Sequence, residues 1–230
     1  ELANMYDKRI AHETWEAVRH AAAEAPAQIT PETASRFMSL LSHAPQLYRL
    51  LNRLHELGVL EKLIPAFRRA RGLLQFNEYH KYTVDEHSFR AVEYVTGLAR
   101  ESHAAARSYG KLENKAILHL AVLMHDLGKG FPEDHSVLGA ELAGDTSKRL
   151  GLSEDETATI QFLVLKHLRM ADLAFRHNLS DESVIVQFAV EVGRLDWLRM
   201  LYVLTCGDLA AVGPKVLNNW KLDLLTQLYY

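Results

Sequence analysis

Apolar side chains in this chain recur at i, i+3, i+4 and i+7, and alternating apolar–polar runs are almost absent. That spacing gathers apolar groups on one face of a 3.6-residue helix, whereas a half-buried strand needs a period of two. The helix breakers are also sparse, with 12 Gly and 6 Pro in 230 residues. The sequence therefore specifies an all-α fold. Punctuation supports it. Thr30 precedes Pro31, an N-cap followed by proline at the first helical position. Thr83 with Glu86, and Ser153 with Glu156, fit the capping box, in which hydroxyl and carboxylate satisfy free amides at a helix start. Ser180-Asp181-Glu182 offers another start, and Gly58, Gly110, Gly128 and Gly151 stand where helices should stop. Helices are predicted near 4–25, 31–42, 45–57, 60–71, 83–101, 113–127, 136–150, 154–168, 181–192, 195–211 and 217–230.

Composition sets outer limits. At 48% apolar residues the chain can build a core, which excludes disorder as its main state. A formal charge of −3 argues against general nucleic-acid binding. The lone Cys206 excludes an internal disulfide framework and any multi-cysteine zinc site. The best apolar run, Ala116 to Met124, is too short to span a membrane. Residue 1 is Glu and the last residues are still in helical rhythm, so a piece of a longer protein is expected. No repeat or long linker stands out. Residues 1–72 are expected to form a helical extension to a main unit over 73–230.

The informative residues are polar groups that interrupt apolar faces. The helix near 113–127 is apolar on most sides and should be buried, yet it ends in His125-Asp126. An adjacent imidazole and carboxylate there are costly unless compensated, and a metal ion would compensate them. Leu201, Thr205 and Asp208 follow i, i+4, i+7, so Asp208 continues an inward stripe as a charge. Ile160, Leu163, Val164 and His167 do the same, and His87 sits just past a helix start whose core side is Phe89, Val92, Val95 and Leu98. Taken singly, His87, His167 or Asp208 reads as a hydrogen-bonded core residue or a helix cap. Taken together, the order His, His-Asp, inward Asp is improbable by chance.

That order resembles the HD superfamily of metal-dependent phosphohydrolases, written here as His87, His125-Asp126 and Asp208. The stretch His125-Asp126-Leu127-Gly128-Lys129-Gly130, with Asp134-His135-Ser136 and Gly139-Ala140 after it, is more specific than the dyad alone. A closer similarity is to the uridylyl-removing domain of bifunctional PII uridylyltransferase/uridylyl-removing enzymes. It is carried by His80 to His87, by Lys166 to Ala171, by Leu204 to Leu209, by Asn218 to Lys221 with Leu224 to Tyr229, and upstream by Leu54 to Leu60. It covers roughly 36–230; residues 1–35 show no match. Two departures matter. The Gly-Ser pair and Asp-x-Asp motif of that family's nucleotidyltransferase domain are missing, so no transferase activity is expected of this piece. Gly207 stands where the family is expected to have Ala.

The resemblance implies an HD-domain helical bundle that removes UMP from a uridylylated PII signalling protein, in the regulation of nitrogen metabolism. It implies one or two divalent ions, with Mn, Mg or Fe favoured and Zn possible. His87, His125, Asp126 and Asp208 are expected to hold the first. Asp126 could bridge to a second, for which His135 and His167 are candidates; the alternative for both is an orienting or phosphate-contacting role. Asp126, Lys129 and His135 are the expected catalytic groups. Lys129 either stabilises phosphoryl charge or serves as a cation at a helix C-terminus. His80 either contacts substrate or makes a structural hydrogen bond. His119 is read as packing, and His12, His20, His43, His55, His103 and His177 as surface or cap residues. Trp197, Tyr202 and Trp220 are core or interface candidates. The cluster Arg68, Arg69, Arg71 is read as a solvated face, the alternative being contact with an acidic partner or a missing domain.

Two other readings compete. One is an HD hydrolase of a free nucleotide, such as a guanosine polyphosphate or a cyclic dinucleotide. The other is a non-catalytic regulatory HD scaffold. The oligomeric state is not legible. A cytoplasmic location follows from the single Cys, the missing signal peptide and the resemblance.

Overall fold

The computed structural model describes residues 8–24, 28–43, 46–74 and 81–230, and every regular element among them is helical. The helices are α1 (His12–Glu24), α2 (Pro31–Ser42), α3 (Leu47–Glu56), α4 (Leu60–Leu63), α5 (Phe67–Ala70), α6 (Val84–Gly97), α7 (Ala104–Gly110), α8 (Lys115–Met124), α9 (His135–Arg149), α10 (Glu154–Lys166), α11 (Arg169–Arg176), α12 (Glu182–Val192), α13 (Leu195–Val212) and α14 (Asn219–Tyr229).

Local chemistry explains most boundaries. Thr30 caps α2 through its hydroxyl with Pro31 at the first position, Ser153 and Glu156 close a complete capping box on α10, and Asp181 caps α12. The capping box expected at Thr83 does not form: the Thr83 hydroxyl bonds the Asp85 carboxylate, and Glu86 pairs with Arg90 at 2.6 Å. The backbone still starts α6 there, with the His87 amide on the Thr83 carbonyl. The single helix expected over 60–71 is split in two by Pro65. Proline lacks an amide donor and drives the preceding residue out of the helical region, and Ile64 sits at φ −124°, ψ 87°. Helices α7 and α11 were not foreseen. Neither has a side chain capping its start, and α11 follows α10 with no Gly or Pro between them.

Helix α8 is the hub. Every residue from Ala116 to Met124 is buried, and α2, α6, α10 and α13 pack around it. Burial on all sides is what its apolar circumference demands. Helices α9 and α10 pair along one side, and α6 and α13 along the other. The α6–α13 crossing is close at Gly207, where an added Cβ would lie 2.6 Å from Val95 Cγ2. Alanine at that position would need a wider crossing, so the glycine is built into the packing. Phe37, Leu40 and Leu41 of α2 belong to the same buried cluster as α8 and α13.

Candidate metal centre

Five helices deliver side chains to one point beside the C-terminal end of α8. His87 comes from the first turn of α6, His125 is the C-cap of α8 with Asp126 next to it, His135 opens α9, His167 is the C-cap of α10, and Asp208 lies in α13. His87, His125, Asp126 and His167 are all buried. The His87 Nε2 atom lies 2.9 Å from Asp208 Oδ1, 3.2 Å from His125 Nε2 and 3.5 Å from Asp126 Oδ2. His125 Nε2 lies 3.4 Å from Asp126 Oδ2 and 3.5 Å from Asp208 Oδ1.

Helix termini aim the rings. His125 Nδ1 donates to the Val122 carbonyl and His167 Nδ1 to the Val164 carbonyl, both at 2.7 Å. A carbonyl only accepts, so the proton sits on Nδ1 and the Nε2 lone pair of each ring points to the shared centre when the ring is neutral. The negative ends of two helices also face that point, which favours a cation.

Asp126 has two faces. Its Oδ2 turns to His87 and His125 and accepts from Lys129 Nζ at 2.6 Å. Its Oδ1 turns to His167 at 3.6 Å and His135 at 4.0 Å. Two sets of candidate ligand atoms result, His87/His125/Asp126 and Asp126/His135/His167, each within 4.8 Å of one another, with Asp126 common to both.

The charges follow from burial set against neighbours. Burial alone would lower the His125 pKa, but Asp126 and Asp208 outweigh it and bring it up to about 9. Burial, joined by repulsion from His125, pushes His167 down to about 4. His135 is also lowered, mainly by burial. For both carboxylates burial works upward and loses. His125, Lys129, His167 and His87 hold Asp126 below the usual range, and hydrogen bonds from His125 and His87 hold Asp208 well below it.

These residues fit divalent metal. The Nε2 atoms of His135 and His167 are buried and have no hydrogen-bond partner, an expensive state for a ring nitrogen unless an ion or water engages it. Neutral imidazoles and ionised carboxylates are the donor set that divalent first-row metals and Mg take, and the two sets match one or two such ions. Gly128 makes the arrangement possible. A Cβ there would lie 2.1 Å from the His135 carbonyl oxygen, so only glycine lets the turn after Asp126 press against the start of α9.

Of the residues singled out in the sequence, His87, His125, Asp126, Lys129, His135, His167 and Asp208 come together here. His80 lies outside the described residues. His119 is fully buried, bonded to Tyr109 Oη at 3.0 Å and the Leu41 carbonyl at 2.7 Å, as packing requires. His55 needs correction. It is buried, not at the surface, with Nε2 3.0 Å from Asp85 Oδ2 and Nδ1 3.0 Å from Glu61 Oε1. Its signal was in the sequence, since Leu47, Leu51 and His55 form one buried stripe on α3. The arginine cluster is exposed, as read, and two of its members also make fixed contacts: Arg71 bonds Glu61 and the His55 carbonyl, and Arg69 bonds the Gly130 carbonyl. This network ties α3 and α4 to the start of α6, two residues from His87.

Fold and cluster together define a helical metallohydrolase. The HD domain description matches residues 84–199, and the chain belongs to this family of metal-dependent phosphohydrolases. Asp208 lies beyond the matched stretch. Among curated proteins, the chain is similar to the "Bifunctional uridylyltransferase/uridylyl-removing enzyme" of Rhodospirillum rubrum, 43% identical over 84% of this chain and 21% of that protein. The enzymes of the same name from Erythrobacter litoralis and Ruegeria pomeroyi are 40% and 41% identical over 86% and 84% of this chain, and 22% of each relative. The chain thus spans about a fifth of the length of these relatives. No described helix is long and apolar enough to cross a membrane.

Proposed function

We propose that the chain removes UMP from a uridylylated PII signalling protein by hydrolysing the phosphodiester to a tyrosine. What carries the reading is the convergence of His87, His125, Asp126 and Asp208 on one point, in a chain whose curated relatives include the uridylyl-removing enzymes. In this reading those four residues hold a first divalent ion, and Asp126, His135 and His167 hold a second. A bound ion supplies Lewis-acid polarisation of phosphoryl oxygens and lowers the pKa of water to near neutrality in favourable cases.

The chain's own groups do the rest. Lys129, anchored on Asp126, offers its ammonium to charge developing on the phosphoryl oxygens. His135, whose pKa burial lowers, would offer its ring to the second ion and act in the reaction through it. Water oxygen bonds to phosphorus, the bond from phosphorus to the phenolic oxygen breaks, and the phenolate regains a proton. A phenol of intrinsic pKa about 10 leaves more readily than an alkoxide. His80 is assigned to the substrate side. Residues 1–72 are assigned to an extension of the catalytic unit at 73–230, with α2 sharing the core of that unit. A cytoplasmic location belongs to the same reading.

Three substrates test it in the presence of Mn²⁺: uridylylated PII, guanosine polyphosphates and a generic phosphodiester. Release of UMP from PII is expected. Cleavage of the free nucleotide alone would refute the substrate, and no hydrolysis by metal-loaded protein would point to a regulatory scaffold.

A further inference from the structure

A concavity of about 540 Å³ lies between the α10–α11 turn, α13 and α14. Sequence adjacency ties part of its wall to the metal cluster. Lys166 and Leu168 bracket His167, and Leu209 follows Asp208, so chain neighbours of two cluster residues form its wall. Helix α11 adds Phe175 and Arg176, and α14 adds Lys221.

The lining is mixed in a way that selects its occupant. Leu165 and Leu168 are 39% and 46% exposed although apolar, which makes the floor a ready surface to cover. The Phe175 ring has Lys221 Nζ 5.6 Å from its centroid. Four cations line the pocket, Lys166, Arg169, Arg176 and Lys221, against one acid, Asp172. Glu191 ties down Lys166 at 2.7 Å and Arg169 at 3.0 Å, while Arg176 is 3.5 Å from Asp172 with its side chain 79% exposed. An aromatic ring and leucines suit the faces of a nucleobase, because every base has a π-face to stack. Surplus positive charge suits the phosphate attached to it. A groove for an apolar peptide would not need the cations, and a site for a bare anion would not need the leucines.

We propose that this pocket takes the nucleoside half of the scissile phosphodiester, with the base against Phe175 and Leu168 and the phosphate directed to the metal cluster. This rests on the phosphodiesterase reading above and names the part of the substrate that the chain recognises. Phe175 is then a specificity-determining residue for the reaction.

The test is an equilibrium titration of the whole chain, with Mn²⁺ present, by UMP and by ribose 5-phosphate, which lacks the base. UMP is expected to bind at least about tenfold tighter. Phe175→Leu keeps apolar volume while removing the ring, and should cut UMP affinity about tenfold without altering ribose 5-phosphate; Phe175→Tyr should restore it. Leu168→Ala, at an exposed position, repeats the test should Phe175→Leu melt early. Equal affinities for the two ligands in the unaltered protein would overturn the assignment. So would a base preference that survives Phe175→Leu. If Phe175→Leu raised KM for a uridylylated protein but left UMP binding intact, the pocket would belong to the protein half, and the proposal would fail. Failure of the function reading looks different: the same Phe175-dependent gain with GMP would uphold the pocket while counting against a uridylyl substrate.

Discussion

Gly128→Ala should damage both stability and activity. The new Cβ would stand 2.1 Å from the His135 carbonyl oxygen, 2.8 Å from the Gly139 amide nitrogen and 2.9 Å from the His135 carbonyl carbon. All three are backbone atoms, so no side chain can swing aside. Relief requires the turn after Asp126 and the start of α9 to part by roughly an ångström, the scale of overpacking that costs about 1–3 kcal/mol. In a chain of this size that corresponds to a melting temperature lower by roughly 2–12 °C. The same movement carries His135 away from Asp126 and Lys129, and a displacement of about 1 Å can cost roughly 10²-fold in rate. The assay pairs thermal melts by circular dichroism with hydrolysis of a generic phosphodiester, normalised to folded protein. Gly139→Ala meets one Val164 methyl at 3.0 Å rather than backbone at 2.1 Å and should be milder, and Gly110→Ala meets nothing within 4 Å and should be neutral or slightly stabilising. If Gly128→Ala melted and turned over like Gly110→Ala, the close turn would not be what holds the centre together.

Other perturbations separate the groups at the centre from those that support the fold. Asp126→Asn should abolish metal uptake and lower hydrolysis by more than the roughly 10–100-fold typical of outer-shell changes, read by metal analysis and initial rates. His119→Leu should leave Tyr109 Oη and the Leu41 carbonyl without their buried partner, costing about 1–3 kcal/mol each, while activity per folded molecule stays unchanged. His55 has a raised pKa: burial opposes its charge, but hydrogen bonds to Asp85 and Glu61 outweigh that. Its contribution is therefore full below the unfolded value of about 6.5 and fades as pH rises through the raised folded value. Melting temperatures of the unaltered protein and His55→Gln should converge as pH climbs above that range; a gap independent of pH would refute the ionic role.

How much the sequence revealed varies by feature and has physical causes. Three of the metal elements are legible because they break an apolar stripe: His125-Asp126 ends a helix apolar on most sides, and Asp208 and His167 sit at positions where a core residue belongs; His135 is reached only through the family resemblance. The two-faced arrangement of Asp126 was legible only as a possibility, since it depends on the turn that Gly128 permits. Helix α11 is not legible because nothing in the side chains at 167–169 marks a break, whereas the α4–α5 split has its signal in Pro65. His55 was misread although it continues the Leu47–Leu51 stripe; its partner Asp85 lies 30 residues away, and an ion pair of that separation leaves no local trace. The nucleoside pocket is also a product of distant elements, with walls from α10, α11, α13 and α14.

The central claim is that four side chains distant in sequence grip one cation. Crystals of the protein grown with Mn²⁺, measured at the manganese absorption edge, test it most directly. The account predicts an anomalous peak ringed by His87 Nε2, His125 Nε2, an Asp126 oxygen and an Asp208 oxygen, each at a bonding distance of about 2.0–2.5 Å. A peak that leaves out His87 or Asp208, or none at this point in metal-saturated crystals, would contradict it.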